Sequence, residues 1–390
     1  MSSIRGQYAI VGVGESDVGK RGSRPGVTVL DLELEAGARA IEDSGLRKEE
    51  VDGVIARGPQ SNFSAILAGC LGLPPRHYIT DVGLSGSASA TMILNAVAAL
   101  NAGFCTAVLC TNGSVGGDEG GGGGGDGAPD GGHGGWLRDL SSPFGQIGAP
   151  GGYALLARRH MHEYGTTSEQ FGAIAVACRK HASLNPNAAY RTPITLEDHQ
   201  SSRMIADPFR LLDCCPSTVA AGAVIITSAE RARDLPNKPV YILGLGHCNT
   251  HSDGQYAPNM TTVAMRDASQ RAYEMADLGP KDVDFANIYD CFTYAALVTL
   301  EDYGFCEKGE GGGFVEGGRI ELGGELPVNT GGGLLSHAHA SGFLHITESA
   351  TQLRGAAGER QVAEAKVGIV SGQCGTLGVN ACLLLGNEPA

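Results

Sequence analysis

Residues 331–345 (GGGLLSHAHASGFLH) contain the side chains best suited to chemistry in this sequence. The three leading glycines let the backbone turn tightly and approach a ligand closely. His337 and His339 carry imidazoles, which titrate near neutral pH, so either can take up or release a proton. An apolar helical pattern follows immediately. We therefore expect a loop that delivers a proton-transferring side chain to the start of a helix.

A second polar cluster lies in residues 287–294 (NIYDCFTY). A short apolar strand pattern ends at Tyr289 and Asp290, and a helical pattern begins a few residues later. This order of strand, polar turn and helix matches that of the histidine segment. We predict that both turns contribute to the rim of one site. The structural alternative for Tyr289 is a packed aromatic side chain at the end of a strand.

Ser87 is the third candidate, at the start of a helical pattern that runs to Leu100 and is closed by Gly103. This pattern is apolar or small on nearly every side, which predicts a central, buried helix. Ser87 is either an N-cap that accepts a backbone N–H or a polar group that faces the site. Both interpretations stay open at the level of sequence.

Alternating strands and helices must position these three turns. Strands are predicted at residues 8–15, 51–56, 78–82, 106–111, 220–226, 240–244, 285–288 and 367–372, and further helices at 29–43 and 265–278. The second half of the chain repeats the plan of the first. If the two halves of the sequence are aligned without a gap so that Ser87 matches His339, then Ser89 matches Ser341 and Gly103 matches Gly355. Two equivalent halves with facing helix starts would bring Ser87 and His339 into one cavity.

Composition narrows the class of protein. The 390 residues with 42% hydrophobic content predict two fused domains with a substantial core. A net charge of -14 argues against binding to nucleic acid or anionic membranes, while a phosphorylated small ligand stays compatible. The eleven cysteines form no CxxC pair and no metal-ligand spacing, which indicates reduced residues of a cytoplasmic protein. No apolar run reaches ~18 residues, so we expect neither export nor a membrane span.

The middle of the chain changes composition twice. Residues 116–135 are mostly glycine with scattered acidic residues, which predicts a flexible loop. The alternative, a calcium site, is disfavoured because the acidic spacing is irregular. Residues 142–203 are helical and more basic, and Thr167 is predicted to cap a helix there. Its arginines and lysines are either solvated helix faces or the place to look for a phosphate-bearing ligand.

The duplicated layout and several motifs resemble the thiolase superfamily, and more narrowly its sterol-carrier-protein-type, or lipid-transfer, thiolase-like group. The matching segments are residues 158–186, 213–216, 289–292, 300–302, 304–310, 327–339 and 371–378. The resemblance implies an α/β thiolase fold of two duplicated βαβαβ halves in a five-layered α-β-α-β-α arrangement with a helical loop insertion. It divides the chain into a first half (1–115, completed by 205–238), a glycine-rich and helical loop domain (116–204) and a second half (239–390).

The sequence departs from the family at the nucleophile. Members that transfer acyl groups carry a cysteine at the start of the first central helix, where Ser87 or Gly86 stands here. The second family cysteine is also unmatched, because Ser371 or Gly372 occupies its place and Cys374 comes a few residues late. A cysteine thiolate is a strong nucleophile near pH 7, whereas an unassisted serine hydroxyl is not. The loss of both cysteines argues against thiolysis.

Proton-transferring residues remain. His339 matches the catalytic histidine of the family, and Tyr289 stands where many members have Asn or His. A tyrosine in this context resembles the thiolase-like aldolases of steroid side-chain degradation, in which a second tyrosine occupies the position of His339. The resemblance implies retro-aldol cleavage of a β-hydroxyacyl-CoA. In this hypothesis Tyr289 or His339 is the base, and the other residue, with the Ser87 helix start, stabilises or protonates the enolate. Asp290 would orient one of them, and His337 would support the site.

Two other functions stay open: an acyltransferase that uses Ser87 or Cys374, and a non-catalytic subunit of a complex. The resemblance further implies a homodimer and a small zinc-ribbon and OB-fold accessory protein in a heterotetramer. Coenzyme A is expected as part of the acyl-CoA substrate, with no tightly bound cofactor and no metal. The acyl group, whether steroid, aromatic or branched aliphatic, is left undetermined.

Overall fold

The computed structural model describes residues 4–74, 76–116, 142–144, 148–252 and 254–389. The glycine-rich segment, for which a flexible loop or a calcium site was considered, lies outside these residues apart from Gly116. The described strands are β1 (Tyr8–Glu15), β2 (Gly19–Lys20), β3 (Gly53–Arg57), β4 (Tyr78–Asp81), β5 (Ala107–Ser114), β6 (Met204–Ala206), β7 (Phe209–Arg210), β8 (Thr218–Ser228), β9 (Val240–Asn249), β10 (Phe285–Asn287), β11 (Val367–Cys374) and β12 (Val379–Gly386). The described helices are α1 (Val29–Ser44), α2 (Phe63–Cys70), α3 (Ala88–Asn101), α4 (Gly148–Tyr164), α5 (Ser168–Leu184), α6 (Leu196–Ser201), α7 (Ala229–Ala232), α8 (Ala264–Ala276), α9 (Thr293–Asp302), α10 (Gly311–Phe314), α11 (Gly333–Ser336) and α12 (Phe343–Arg354).

One large sheet has the strand order β10-β11-β12-β9-β1-β8-β5-β3-β4, with β2 paired to β8. The β3–β4, β3–β5 and β10–β11 pairs are parallel, and the other pairs in this sheet are antiparallel. Strands β1 and β9 meet through the pairs Ala9–Tyr241 and Ile10–Val240. The sheet therefore consists of two halves, one from each half of the chain, joined at a short seam.

Helices α3 and α12 lie between the two halves of the sheet. Both contact β5 and β8 of the first half and β11 and β12 of the second. Helix α1 covers the opposite face of the first half, and α8 covers the opposite face of the second. The predicted α/β architecture of two related halves in five layers is confirmed. Helices α4 to α6 and the β6–β7 hairpin lie between β5 and β8 along the chain, and the domain boundaries drawn there stay predictions.

Helix α3 is buried on nearly all sides, as its apolar pattern predicts. The N-cap interpretation of Ser87 is wrong, because the Ser87 side chain makes no capping hydrogen bond. Its hydroxyl oxygen instead lies 3.4 Å from Thr91 Oγ1. The reason is local, since a 3₁₀ turn, Ser85–Ser87, leads straight into α3 and gives Ser87 helical φ and ψ of -83° and -12°. A serine in the helical region does not adopt the extended conformation of an N-cap.

The ungapped alignment of the two halves is correct at the C-terminal ends of the central helices α3 and α12. Gly103 and Gly355 follow these ends with left-handed φ of 73° and 75°. The helix starts differ, because α12 begins at Phe343, three residues after the position that matches the start of α3. Ser341 and Gly342 take left-handed φ of 46° and 78°, and this turn delays the helix. The second half therefore has a longer loop before its central helix, and that loop carries His339.

Candidate active site

Tyr289 and His339 lie together, as the two turns predicted. The Tyr289 hydroxyl oxygen is 3.3 Å from His339 Nε2, and the two rings meet edge to face at 77°. Tyr289 follows β10, and its backbone N–H donates to the Ser371 hydroxyl of β11 at 2.9 Å. Both side chains are buried, with 4% and 7% of their surface exposed. The pair joins the end of one strand to the loop before the second central helix.

Burial decides the protonation states of this pair. It raises the pKa of Tyr289 well above the usual range, although the positive charge of Arg57 acts in the opposite direction. Burial, assisted by Arg57, lowers the pKa of His339 to about 4. At neutral pH the phenol is therefore protonated and the imidazole is neutral. We assign the phenol as donor and Nε2 as acceptor, which places the imidazole proton on Nδ1; that atom has no hydrogen-bond partner among the described residues.

The backbone around His339 is held from two sides. The His339 N–H donates to the Thr218 hydroxyl of β8 at 2.7 Å. The Ser341 N–H donates to the His339 carbonyl at 2.6 Å, which closes the left-handed turn. Gly342 is required in that turn, because a Cβ there would lie 2.7 Å from Cδ2 of Tyr289. The turn thus packs directly against the tyrosine ring.

Gly86, at the start of the first central helix, also packs against Tyr289. A Cβ on Gly86 would overlap the Tyr289 hydroxyl and the Gln373 carbonyl oxygen, at distances that real Cβ atoms do not show. The tyrosine hydroxyl therefore occupies the space that a side chain at position 86 would need. Ser87 is fully buried beside it, and its hydroxyl lies against Thr91 rather than against the Tyr289–His339 pair.

Asp290 does not orient Tyr289 or His339 through a hydrogen bond, contrary to expectation. Its carboxylate accepts the N–H groups of Leu334 at 2.8 Å and Leu335 at 3.3 Å, at the start of α11. His345 Nε2 lies 3.3 Å from the same carboxylate. The first N–H groups of a helix lack partners within the helix, and a carboxylate satisfies them well. Asp290 therefore orders the segment of residues 331–335 ahead of His339. It does not position a side chain that takes part in the reaction.

His337 points to a different neighbour. Its Nε2 lies 3.6 Å from the carboxylate of Glu15, and its backbone carbonyl accepts the N–H of Ala189. Burial lowers the pKa of His337, with Glu15 acting in the opposite direction. His337 thus links the loop to β1 and to the segment after α5. This placement suits the supporting role predicted for it.

Sequence reasoning missed two groups beside the pair. Arg57 ends β3, and its Nη1 donates to the Ser341 hydroxyl at 3.4 Å. Gln373 of β11 accepts from the Tyr153 hydroxyl at 3.4 Å and donates to the Cys291 sulfur at 3.5 Å. The same signal existed for both residues, since each lies at the carboxyl end of a strand in a parallel pair, where side chains tend to converge on a site.

The side chain that hydrogen-bonds to the His339 imidazole is a tyrosine and not one of the buried cysteines. None of the eleven forms a disulfide, and all lie in the described part of the chain. Burial raises the pKa of the Cys291 and Cys215 thiols, so both are protonated at neutral pH. Cys374 ends β11 and is partly exposed. Tyr289, rather than a thiol, is the described side chain that hydrogen-bonds to the imidazole.

Among the described residues, no group of three or more His, Cys, Asp or Glu side chains is arranged to hold a metal ion. No helix in the same ranges has both the length and the apolar character needed to span a membrane.

Comparison with known proteins places this geometry in a family. Residues 246–387 match the family described as Thiolase C-terminal domain-like. A steroid side-chain-cleaving aldolase of Thermomonospora curvata is 37% identical over 367 residues, which cover 91% of this chain and 92% of that protein. The 17-hydroxy-3-oxo-4-pregnene-20-carboxyl-CoA lyase of Mycobacterium tuberculosis is 37% identical over 374 residues, which cover 90% of this chain and 92% of that protein. A solved structure of the Ltp2-ChsH2(DUF35) aldolase shares 34% identity and a TM-score of 0.88, with 98% of both chains covered. The chain therefore belongs to the thiolase superfamily, in the sterol-carrier-protein-type group that includes the steroid side-chain-cleaving aldolases.

Proposed function

We propose that this protein is a carbon–carbon lyase that cleaves a β-hydroxyacyl-CoA thioester by a retro-aldol reaction, without a covalent enzyme intermediate. The observation that carries the proposal is the buried phenol–imidazole pair of Tyr289 and His339, 3.3 Å apart. The pair joins a protonated donor to a neutral acceptor, and a retro-aldol reaction needs one of each. The names of the aldolase and lyase relatives support the same reaction class.

His339 is the base in this proposal. Its neutral imidazole takes the proton of the substrate β-hydroxyl, and the electrons of that O–H bond form the new carbonyl. The bond between the α- and β-carbons breaks, and its electron pair passes into the thioester as an enolate. The first product is a ketone or an aldehyde, depending on the substituents of the β-carbon.

Tyr289 is the acid. Its phenol gives a proton to the α-carbon of the enolate, which yields the shortened acyl-CoA. The resulting phenolate lies beside the imidazolium of His339, and transfer of one proton across 3.3 Å restores both neutral side chains. The proton taken from the hydroxyl thus balances the proton given to carbon. Both residues are already in the required protonation states before the substrate binds.

The enolate oxygen needs a partner that favours negative charge, and the start of α3 is the group we propose. The positive end of a helix dipole lies at its N-terminus. Helix α3 has no acidic residue in its first turn, and Gly86, next to its start, contacts the Tyr289 hydroxyl. The small residues before α3 allow close approach of a ligand to the backbone.

Acyl transfer is disfavoured by the space around Gly86. A cysteine there would have to displace Tyr289, whose hydroxyl fills the position of the missing side chain. Among the described residues, the Ser87 hydroxyl has Thr91 as its side-chain hydrogen-bond partner, and a threonine hydroxyl is not a base that could activate it. A non-catalytic role is disfavoured because two relatives at 37% identity over about 90% of this chain are named as an aldolase and a lyase.

For the substrate and partners, the relatives supply the support. The Mycobacterium tuberculosis relative is named for a steroid carboxyl-CoA, so we propose a steroid or similarly apolar acyl-CoA with a hydroxyl on the β-carbon. The solved aldolase is named as a complex with a DUF35 protein. We propose that this chain works as a homodimer with a small accessory protein of the same kind.

Product analysis tests the function. A panel of β-hydroxyacyl-CoA and β-ketoacyl-CoA esters should be incubated with the protein, with and without a candidate accessory protein. We expect a ketone or aldehyde and a shortened acyl-CoA from β-hydroxy esters, and no thiolysis of β-keto esters by added coenzyme A. CoA-dependent thiolysis, together with an acyl adduct detected by mass spectrometry, would instead support the acyltransferase.

A further inference from the structure

Arg57 reaches from the first half of the fold to the loop that carries His339. It is the last residue of β3, and its Nη1 donates to the Ser341 hydroxyl at 3.4 Å. Ser341 is two residues beyond His339, and its N–H donates to the His339 carbonyl at 2.6 Å. The guanidinium is therefore connected to the histidine backbone through one residue.

Two more elements of the first half, α3 directly and β5 through α3, stabilise the same turn. The Ser89 hydroxyl of α3 donates to the Ser341 carbonyl at 2.8 Å, and the Asn112 side chain of β5 donates to the Ser89 hydroxyl at 3.4 Å. Ser341 has a left-handed φ of 46°, a conformation that a serine rarely adopts without support from its surroundings. Arg57 binds the side-chain hydroxyl of Ser341, and Ser89 binds its backbone carbonyl. These two hydrogen bonds stabilise the left-handed conformation.

The charge of Arg57 acts on both members of the pair. It lowers the pKa of His339, because a nearby positive charge opposes the imidazolium. It also lowers the pKa of Tyr289 against the larger effect of burial, because it favours the phenolate. Other charged or titratable groups that act on His339 are Asp290, which raises its pKa, and His345, which lowers it.

We propose that Arg57 is a positioning residue for the reaction, which holds the turn after His339 through its hydrogen bond to Ser341 and places a permanent positive charge next to that turn. This inference rests on the proposed retro-aldol function. It assigns two separable tasks to one side chain: a directed hydrogen bond to Ser341 and a permanent positive charge. The hydrogen bond helps to set the position of His339, and the charge adds to the effect of burial in lowering the His339 pKa.

Three variants separate these tasks: Arg57→Met removes both, Arg57→Lys keeps the charge but loses the guanidinium fork, and Ser341→Ala keeps the charge and removes the hydrogen bond. The readout is the pH dependence of kcat/KM, whose acid limb reports the base of the free enzyme. We expect the acid limb of Arg57→Met to move to higher pH by on the order of 1 unit. Arg57→Lys and Ser341→Ala should lower kcat/KM and leave the acid limb where it is in the wild type.

An unchanged acid limb in Arg57→Met, or an equal shift in all three variants, would overturn the inference, since a purely structural role lowers activity at every pH alike. A titration of the histidine ¹³Cε1 resonances, with His339 assigned from a His339→Gln spectrum, gives a second measurement that needs no substrate. The His339 pKa should rise in Arg57→Met and stay close to the wild-type value in Arg57→Lys. If the wild type cleaves no β-hydroxyacyl-CoA, the proposed function fails, while this titration still decides whether Arg57 controls His339.

Discussion

Replacing Tyr289 by phenylalanine removes a single oxygen atom from the candidate site. The ring keeps its contacts with the turn at Gly342 and with His339, while the hydrogen bond of 3.3 Å to the imidazole is lost. One buried hydrogen bond is worth about 1 kcal/mol of net stability, so the fold should survive with a Tm only a few degrees lower. Circular dichroism and thermal unfolding check this part.

The effect on catalysis should be far larger than the effect on stability. Loss of a positioned general acid typically costs about 10²–10⁴-fold in rate, which corresponds to roughly 3–5 kcal/mol of barrier. Tyr289 acts on the enolate rather than on the bound substrate in our mechanism. We therefore expect kcat to fall by this factor with KM little changed, measured by chromatography of the ketone and acyl-CoA products.

Tyr153→Phe is the matched control, because it also removes one buried hydroxyl close to the site. The Tyr153 hydroxyl donates to Gln373 rather than to His339, so this variant should lose much less activity. Two results would refute the reasoning: a correctly folded Tyr289→Phe with near-normal kcat, or equal losses in the two variants. The first would remove Tyr289 from the chemistry, and the second would show that hydroxyl loss acts only through packing.

Three other outcomes follow from the same site. Gly86→Ala should lower kcat at least ~10²-fold, because the added Cβ overlaps the Tyr289 hydroxyl; a folded, fully active variant would show that the ring can move aside. The acid limb of kcat/KM should lie well below the ordinary imidazole pKa, because burial lowers the pKa of His339 to about 4 and the base form is present above that value; a limb near the ordinary pKa of about 6.5 would contradict the assignment. Ser87→Ala and Cys374→Ser should each retain most activity, and mass spectrometry after incubation with acyl-CoA should find no adduct in the wild type; an adduct on either residue would favour acyl transfer.

The alternation of strands and helices was readable from the sequence because it is encoded locally. Strand β1 has the predicted bounds of 8–15, and the apolar pattern before Gly103 correctly predicted a buried central helix. Thr167 caps α5 as expected, since its hydroxyl accepts the N–H of Gln170. Hydrophobic periodicity, caps and glycine C-caps depend on neighbours a few residues away, so a single sequence carries them.

The placement of Tyr289 and His339 in one site was also predictable, because both residues lie in turns with the same order of strand, polar residues and helix. What the Asp290 carboxylate binds was not predictable. Its partners are backbone N–H groups at Leu334 and Leu335, 44 and 45 residues away, and no pattern of side chains in the sequence predicts such backbone partners. The later start of α12, three residues after the matching position in α3, was not predictable either. It arises from the left-handed backbone conformations of Ser341 and Gly342, which depend on tertiary contacts.

The sequence by itself determined the layered α/β plan, the two halves and the absence of a cysteine before the first central helix. Only the tertiary structure showed that a side chain is excluded at Gly86, one of the two candidate positions for that cysteine, since the hydroxyl of Tyr289 fills the space next to it. It also brought Arg57 within 3.4 Å of Ser341, a residue 284 positions away in the chain. The physical reason is that secondary structure follows from local patterns, whereas steric exclusion, burial and the resulting pKa shifts follow from which distant segments pack together.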